Sequence, residues 1–374
     1  MNQNSQIKIG IDGSFLSGQK RGHARYSFEL CRELDKYLPN ANFFVYSPLP
    51  IEMPVISPRW KLRTQGKILA VSPILWLKII GSWICRKDQL DIFWGTYFFL
   101  PYLDQSTKTI LTVHDFWFDI DPTGMDWFHT QGFYLFLKND VKRANTIITN
   151  SQETERQLFN YTGRNSIIIQ PGVSEIFKPL PINEVKNELK KHQIISPYLL
   201  NVATWEPRKN VELLVKTFIN LKKEGLIPDH KLVLVGKKGW KYEGIETLIA
   251  NEGKNDIMVL GYVPDEQLPA LYSGADLFVF PSIHEGFGIP VLEARACGTK
   301  VVTTDIPELR EAGGSDVIYI QPTELGIRQG ILTGLSQSFV NQNHQNIPTW
   351  KEGAKILAKI ISCHSVQNKN RYIT

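Results

Sequence analysis

Apolar residues fall along this chain in short, nearly continuous runs. Lys8-Ile-Gly-Ile-Asp12, Thr109-Ile-Leu-Thr-Val-His114, Asn145-Thr-Ile-Ile-Thr149 and Ser166-Ile-Ile-Ile-Gln170 occupy the first half. Tyr198-Leu-Leu-Asn-Val202, Lys231-Leu-Val-Leu-Val-Gly236, Leu277-Phe-Val-Phe280 and Lys300-Val-Val-Thr303 occupy the second. Consecutive apolar positions suit strands buried on both faces, as in a parallel sheet covered by helices. Most runs lead into a loop with Gly, Asp or His and then a helical pattern. That alternation predicts an α/β fold with two Rossmann-like, doubly wound domains.

The prolines of Phe177-Lys-Pro-Leu-Pro181 restrict the backbone and predict a connector. The expected boundary is near residue 180, giving domains 1–180 and 181–374, with the last helix able to pack back on the first domain. Two such domains facing each other would form an interdomain cleft at the carboxyl ends of their strands, where ligands of such sheets bind.

A length of 374 residues agrees with two domains, and 43% hydrophobic with 21% charged residues argues against disorder and coiled coil. The net charge of +5 is too small to demand nucleic acid. Cys31, Cys85, Cys297 and Cys363 lie far apart without a CxxC pair, which predicts neither a disulfide framework nor a zinc site. The polar start from Met1 to Gln6 lacks the pattern of a signal peptide, so a cytoplasmic location is expected.

Charge is uneven. Between Lys20 and Lys87, twelve Lys/Arg stand against four acids (Glu29, Glu33, Asp35 and Glu52). This basic 20–87 region fits an anionic membrane or a diphosphate-linked acceptor, or equally a solvated basic face. Within it, Trp76, Ile79, Ile80 and Trp83 fall on one helical stripe of a segment too short to span a bilayer. A domain helix is the default expectation, and an interfacial helix flanked by Lys67, Arg86 and Lys87 the alternative.

The densest chemistry lies in Phe280-Pro-Ser-Ile-His-Glu-Gly-Phe-Gly-Ile-Pro-Val-Leu-Glu-Ala294. A strand ends, a glycine-rich loop follows, and a helix opens near Pro290. The amides of Gly286, Phe287 and Gly288, with the helix dipole, would face an anion. Glu285 and Glu293 can look into one cavity, and a carboxylate that accepts two hydrogen bonds suits a vicinal diol. Val202-Ala-Thr-Trp-Glu-Pro-Arg-Lys-Asn210 again stands between strand and helix. There Arg208 and Lys209 can converge on a diphosphate, the first as a planar fork and the second as a point charge.

In the first half, Ser17-Gly-Gln-Lys-Arg-Gly-His-Ala-Arg-Tyr26 joins strand to helix, and Gly18 and Gly22 would let backbone approach a phosphate. The dinucleotide fingerprint is absent, which excludes a nicotinamide oxidoreductase reading. His114 ends a strand at the expected ligand edge. Asp119-Ile-Asp121 has the form of a metal pair, but such triplets are common by chance, and no metal is expected.

The pair Glu285/Glu293 with E-P-R-K-N at 206–210 resembles glycosyltransferase family 4, retaining enzymes of the GT-B fold. The similarity includes the Gly22–Tyr26 loop, the Val113-His-Asp115 strand end, Gln170-Pro-Gly-Val173, Gly261-Tyr-Val-Pro264 and Thr349-Trp350. Ala24 and Ala203 stand where the family often has Gly.

The resemblance implies roles by position. Arg208 and Lys209 would neutralise the donor diphosphate beside the 286–288 amides. Glu293 would hold the ribose, Glu285 the hydroxyls of the transferred sugar, and backbone near Val263 the base. His114 would line the sugar site, and Gly22 would approach the phosphates or acceptor. It further implies transfer of a hexose from a nucleotide diphosphate sugar to a glycan or lipid-linked acceptor, with no cofactor. GDP-mannose is favoured over UDP-glucose or UDP-N-acetylglucosamine. A nucleotide-sugar epimerase, or a binding protein without turnover, would use the same fold.

Overall fold

The computed structural model describes residues 6–14, 16, 22–65, 72–117, 131–337 and 347–371. Lys67, Asp119 to Asp121 and the start of the 17–26 loop, with Gly18, lie outside the described residues. The chain forms two compact units, Met1–Gly172 with Pro348–Thr374, and Val173–Ile347.

The first unit carries β1 (Ile7–Asp12), β2 (Ala41–Tyr46), β3 (Trp60–Arg63), β4 (Ile92–Gly95), β5 (Lys108–Val113), β6 (Thr146–Thr149) and β7 (Ile167–Ile168). Its helices are α1 (Gly22–Tyr37), α2 (73–88, with a π-helical turn at Leu77–Gly81), α3 (133–143) and α4 (Gln152–Thr162). In the second unit the strands are β8 (Tyr198–Val202), β9 (Lys231–Val235), β10 (Ile257–Gly261), β11 (Leu277–Phe280), β12 (Val301–Thr304) and β13 (Ile318–Ile320). They alternate with α5 (Ile182–Lys191), α6 (Val211–Lys223), α7 (243–253), α8 (Leu268–Gly274), α9 (Ile289–Ala296), α10 (Pro307–Gly313) and α11 (Glu324–Ser336). The last helix, α12 (Trp350–Arg371), belongs to the first unit.

Both sheets are parallel, in the orders β3-β2-β1-β4-β5-β6-β7 and β10-β9-β8-β11-β12-β13. Leu199, Leu200, Leu232, Val233, Leu234, Leu277, Phe278 and Val279 have no solvent exposure, as strands covered on both faces require. The strand order reverses at β1/β4 in one sheet and at β8/β11 in the other. Those reversals are the topological switch points where open α/β sheets bind ligands.

The chain divides at Gly172–Val173, a few residues ahead of the expected boundary at 180. Phe177 explains the difference. It is buried in the core of the second unit, with its ring 6.1 Å from that of Tyr272, so the proline segment is anchored there and is not a free connector. The last helix packs along α1, with Trp350 edge-on to Tyr26 at 5.9 Å and His364 Nε2 2.8 Å from Thr146 Oγ1.

The stripe expected on α2 divides in two. Trp76 is buried with Leu77, Ile84 and Cys85, whereas Leu75, Ile79 and Trp83 face solvent. The π-helical turn adds a residue to the helical count, and Trp76 and Trp83 therefore leave the common face. Lys78, which a stripe reading leaves outside, is itself buried and pairs with Asp140.

Candidate active site

The switch point of the second sheet is built by the loops after β8 and β11. Beyond β8 the backbone continues the ladder, Ala203 N–H to Val235 O at 2.9 Å and Trp205 N–H to Lys237 O at 2.9 Å. A single 3₁₀ turn, Pro207–Lys209, follows, and Asn210 in the left-handed region (φ 56°) redirects the chain into α6. The Arg208 carbonyl accepts the Ile283 N–H at 2.8 Å, tying this turn to the loop after β11.

Charges converge across that tie. Lys209 Nζ lies 2.5 Å from Glu285 Oε1, and Arg208 lies 3.5 Å from Glu285 Oε2. Arg208 Nε also donates to Glu206 Oε2 at 3.0 Å. Burial, joined by the neighbouring Arg208 charge, pulls the Lys209 pKa down against the pull of Glu285. For Glu285, burial alone would raise the pKa, but Lys209, Arg208 and the hydrogen bonds together hold it below its ordinary value. Two basic and two acidic side chains thus face one another, and Phe280 lies beneath Lys209 with its ring 5.5 Å from Nζ.

The loop then turns into α9 through Gly288, whose φ of 111° is a conformation L side chains avoid. A Cβ there would also meet Leu309 Cδ2 at 2.5 Å. The Phe287 side chain anchors the loop in the core, leaving its backbone beside Gly286 and Gly288 at the helix N-terminus. Glu293, one turn inside α9, is buried, and its Oε2 accepts the Tyr272 hydroxyl at 3.0 Å. Val263 is buried in the core beyond β10, next to exposed Tyr262.

Two expected residues lie in the first unit. His114 follows β5, is 4% exposed, and its Nε2 is 2.8 Å from the Thr96 carbonyl, which fixes that nitrogen as donor. Burial lowers its pKa, and so the ring is neutral near pH 7. Gly22 opens α1 with φ 40°, and a Cβ there would meet nothing within 4 Å, so its glycine character answers backbone conformation and not crowding.

Arg208, Lys209 and Glu285 are thus brought together, and Glu293 follows within the same loop–helix. Two partners escaped the sequence reading. One is Glu206, whose place in E-P-R-K-N two positions before Arg208 is the available signal for the pair. Tyr272 carries no local signal, because its contact with Glu293 spans two helices.

A family model for glycosyl transferases group 1 matches residues 184–323. The chain is 30% identical over 273 residues to the O-antigen chain mannosyltransferase B of Escherichia coli, covering 72% of this chain and 70% of that one. The chain belongs to the group 1 glycosyltransferases. It is also 27% identical to the O-antigen chain mannosyltransferase RfbU of Salmonella typhimurium, covering 74% of each. Among solved structures it is similar to WaaG, described as a glycosyltransferase involved in lipopolysaccharide biosynthesis. The TM-score is 0.70 at 17% identity, covering 94% of this chain and 95% of that one. The fold of this glycosyltransferase is the GT-B arrangement of two parallel-sheet Rossmann-like domains, as the hydrophobic pattern and the motifs had indicated.

Among the described residues no group of three or more His, Cys, Asp or Glu is placed to hold a metal ion, and no helix is long and apolar enough to cross a membrane.

Proposed function

We propose that this glycosyltransferase moves a hexose, with GDP-mannose the favoured donor, from a nucleotide diphosphate sugar to a glycan or lipid-linked acceptor, with retention at the anomeric carbon. The observation that carries this reading is the convergence of Arg208 and Lys209 on Glu285 at the switch point of the second sheet. The named relatives, both mannosyltransferases of O-antigen chains, favour mannose and a surface polysaccharide.

Cleaving the sugar C1–O bond leaves charge on the diphosphate. Preorganised Arg208 and Lys209, with the Gly286, Phe287 and Gly288 backbone at the start of α9, are suited to meet that charge. In a front-face path the leaving phosphate oxygen takes the acceptor's proton, and no side-chain nucleophile is required. Glu285 then serves the sugar hydroxyls and the developing positive charge at C1, and Glu293, steadied by Tyr272, serves the ribose. Backbone near Val263 meets the base. His114, neutral and fixed on Thr96, serves the sugar, and Gly22 the phosphates or acceptor. In this scheme the counter-charge comes from side chains and amides, so no metal is required.

Peripheral contact with an anionic membrane through the 20–87 region is part of the proposal. Leu75, Ile79 and Trp83 are exposed on α2, and Lys87 Nζ sits 3.4 Å from the Trp83 ring centre, as an amphipathic interfacial helix would place them.

A thermal-shift panel of nucleoside diphosphates and their sugars tests the reading, since a ligand of the native state raises the midpoint by mass action. GDP and GDP-mannose are expected to raise it most, with mannose appearing on an added acceptor. A panel in which no nucleotide shifts the midpoint would overturn the proposal.

A further inference from the structure

The switch point of the first sheet holds a ring that no role assigned above uses. β4 ends at Gly95, and the loop beyond it is held at unusual cost. Phe98 sits in the left-handed region at φ 57°, with its N–H on the Thr112 carbonyl at 2.9 Å. Leu100 is gripped from both sides, its N–H donating to Asp140 Oδ2 at 3.0 Å and its carbonyl accepting Lys78 Nζ at 2.9 Å. Arg143 adds a bond to the Pro101 carbonyl at 2.7 Å. Burying Lys78 and Asp140 is expensive, and a strained non-glycine residue persists only where its surroundings over-determine it.

What this rigid loop presents is Tyr97. Phe98, Phe99 and Leu100 turn into the core, whereas Tyr97 stays partly exposed beside His23 of α1, ring centres 4.2 Å apart. His114 lies behind the pair, 5.9 Å from Tyr97 and 5.8 Å from His23.

We propose that Tyr97, backed by His23, is the platform on which the acceptor's terminal sugar lies, one apolar face of its pyranose ring against the aromatic face. The axial C–H groups of such a sugar are weakly positive and apolar, matching the negative face of an aromatic ring. The position agrees, because the platform is at the β1/β4 reversal and beside the histidine already assigned to the sugar. The inference rests on the proposed glycosyl transfer and names the acceptor's contact within it.

The test titrates methyl α-D-mannopyranoside, with methyl α-D-glucopyranoside as a second probe, into the full chain by saturation-transfer NMR in the presence of GDP. The native protein should transfer saturation to the ring protons of one face. Tyr97→Phe should keep the affinity, Tyr97→Ala and the apolar but non-aromatic Tyr97→Leu should each weaken it about tenfold or more, and His23→Ala should weaken it less. GDP-mannose affinity should not change in any of these. The proposal falls if neither glycoside receives saturation, or if Tyr97→Ala and Tyr97→Leu bind as tightly as native. Parallel loss of GDP-mannose affinity would also sink it, by giving the ring to the donor's sugar. Lys209→Ala separates the two levels: if GDP binding survives it, the functional reading fails while the glycoside result still decides the platform.

Discussion

Lys209 and Glu285 form a buried ion pair with Nζ 2.5 Å from Oε1, so the cation assigned to the donor diphosphate is already neutralised within the protein. Glu206 does the same for Arg208 at 3.0 Å. Two carboxylates balance two cations, and a diphosphate bound as proposed has to replace a carboxylate rather than fill an empty positive hole. Replacing Glu285 by Gln should therefore strengthen binding of GDP and UDP about tenfold while transfer falls at least as much, on the scale of one or two charge-assisted contacts. Calorimetric titration beside initial-rate kinetics checks both arms. Weaker nucleotide binding in Glu285→Gln would mean that the carboxylate supports the cations instead of competing for them.

Glu293 accepts the Tyr272 hydroxyl at 3.0 Å, which orients its carboxylate for the ribose role proposed above. Glu293→Gln should raise the donor Kd about tenfold, and Tyr272→Phe should raise it less, with turnover at saturating donor little changed in both. A fall in kcat with unaltered donor affinity would remove Glu293 from the ribose.

Asp12 ends β1 fully buried, accepts the Ser14 N–H at 2.9 Å, and has its pKa raised from 3.8 to about 6 by burial, against those hydrogen bonds. The folded state keeps this proton where the unfolded chain has lost it. Its contribution is whole below pH 3.8 and disappears as pH climbs through about 6. Asp12→Asn removes the cost of the buried charge. Unfolding free energy at neutral pH should rise, by no more than about 3 kcal/mol, and the gain should vanish near pH 4. Urea denaturation at the two pH values would expose a pH-independent difference, which would contradict the assignment.

Gly288 combines φ 111° with a Cβ position 2.5 Å from Leu309 Cδ2. Gly288→Ala should lower stability by roughly 1–3 kcal/mol and distort the amides at the start of α9. An unchanged urea midpoint with full activity would show that the turn tolerates a side chain.

Much of this architecture can be read before any coordinates. Runs such as Leu199-Leu200 and Phe278-Val279 announce strands buried on both faces, and E-P-R-K-N with Glu285 marks the loops whose charges converge after β8 and β11. Less legible is β3, because Trp60-Lys-Leu-Arg63 alternates apolar with charged residues and lacks the continuous apolar run of the central strands. The burial of Lys78 is illegible too, since it depends on Asp140 sixty-two positions away. Tyr97 falls in the same class. Its place beside His23 and His114 is set by a left-handed turn at Phe98 that no local propensity predicts. The last helix, α12, belongs to the first unit, held there by Trp350 against Tyr26 and His364 against Thr146.

The central claim is that Lys209 and Arg208 receive the donor's diphosphate. Titrating GDP and UDP into native protein and Lys209→Ala, each first shown to be folded by its melting curve, tests it most directly. Nucleotide affinity should fall about tenfold or more in Lys209→Ala, the scale of one charged contact. Equal affinity in the two proteins would contradict it.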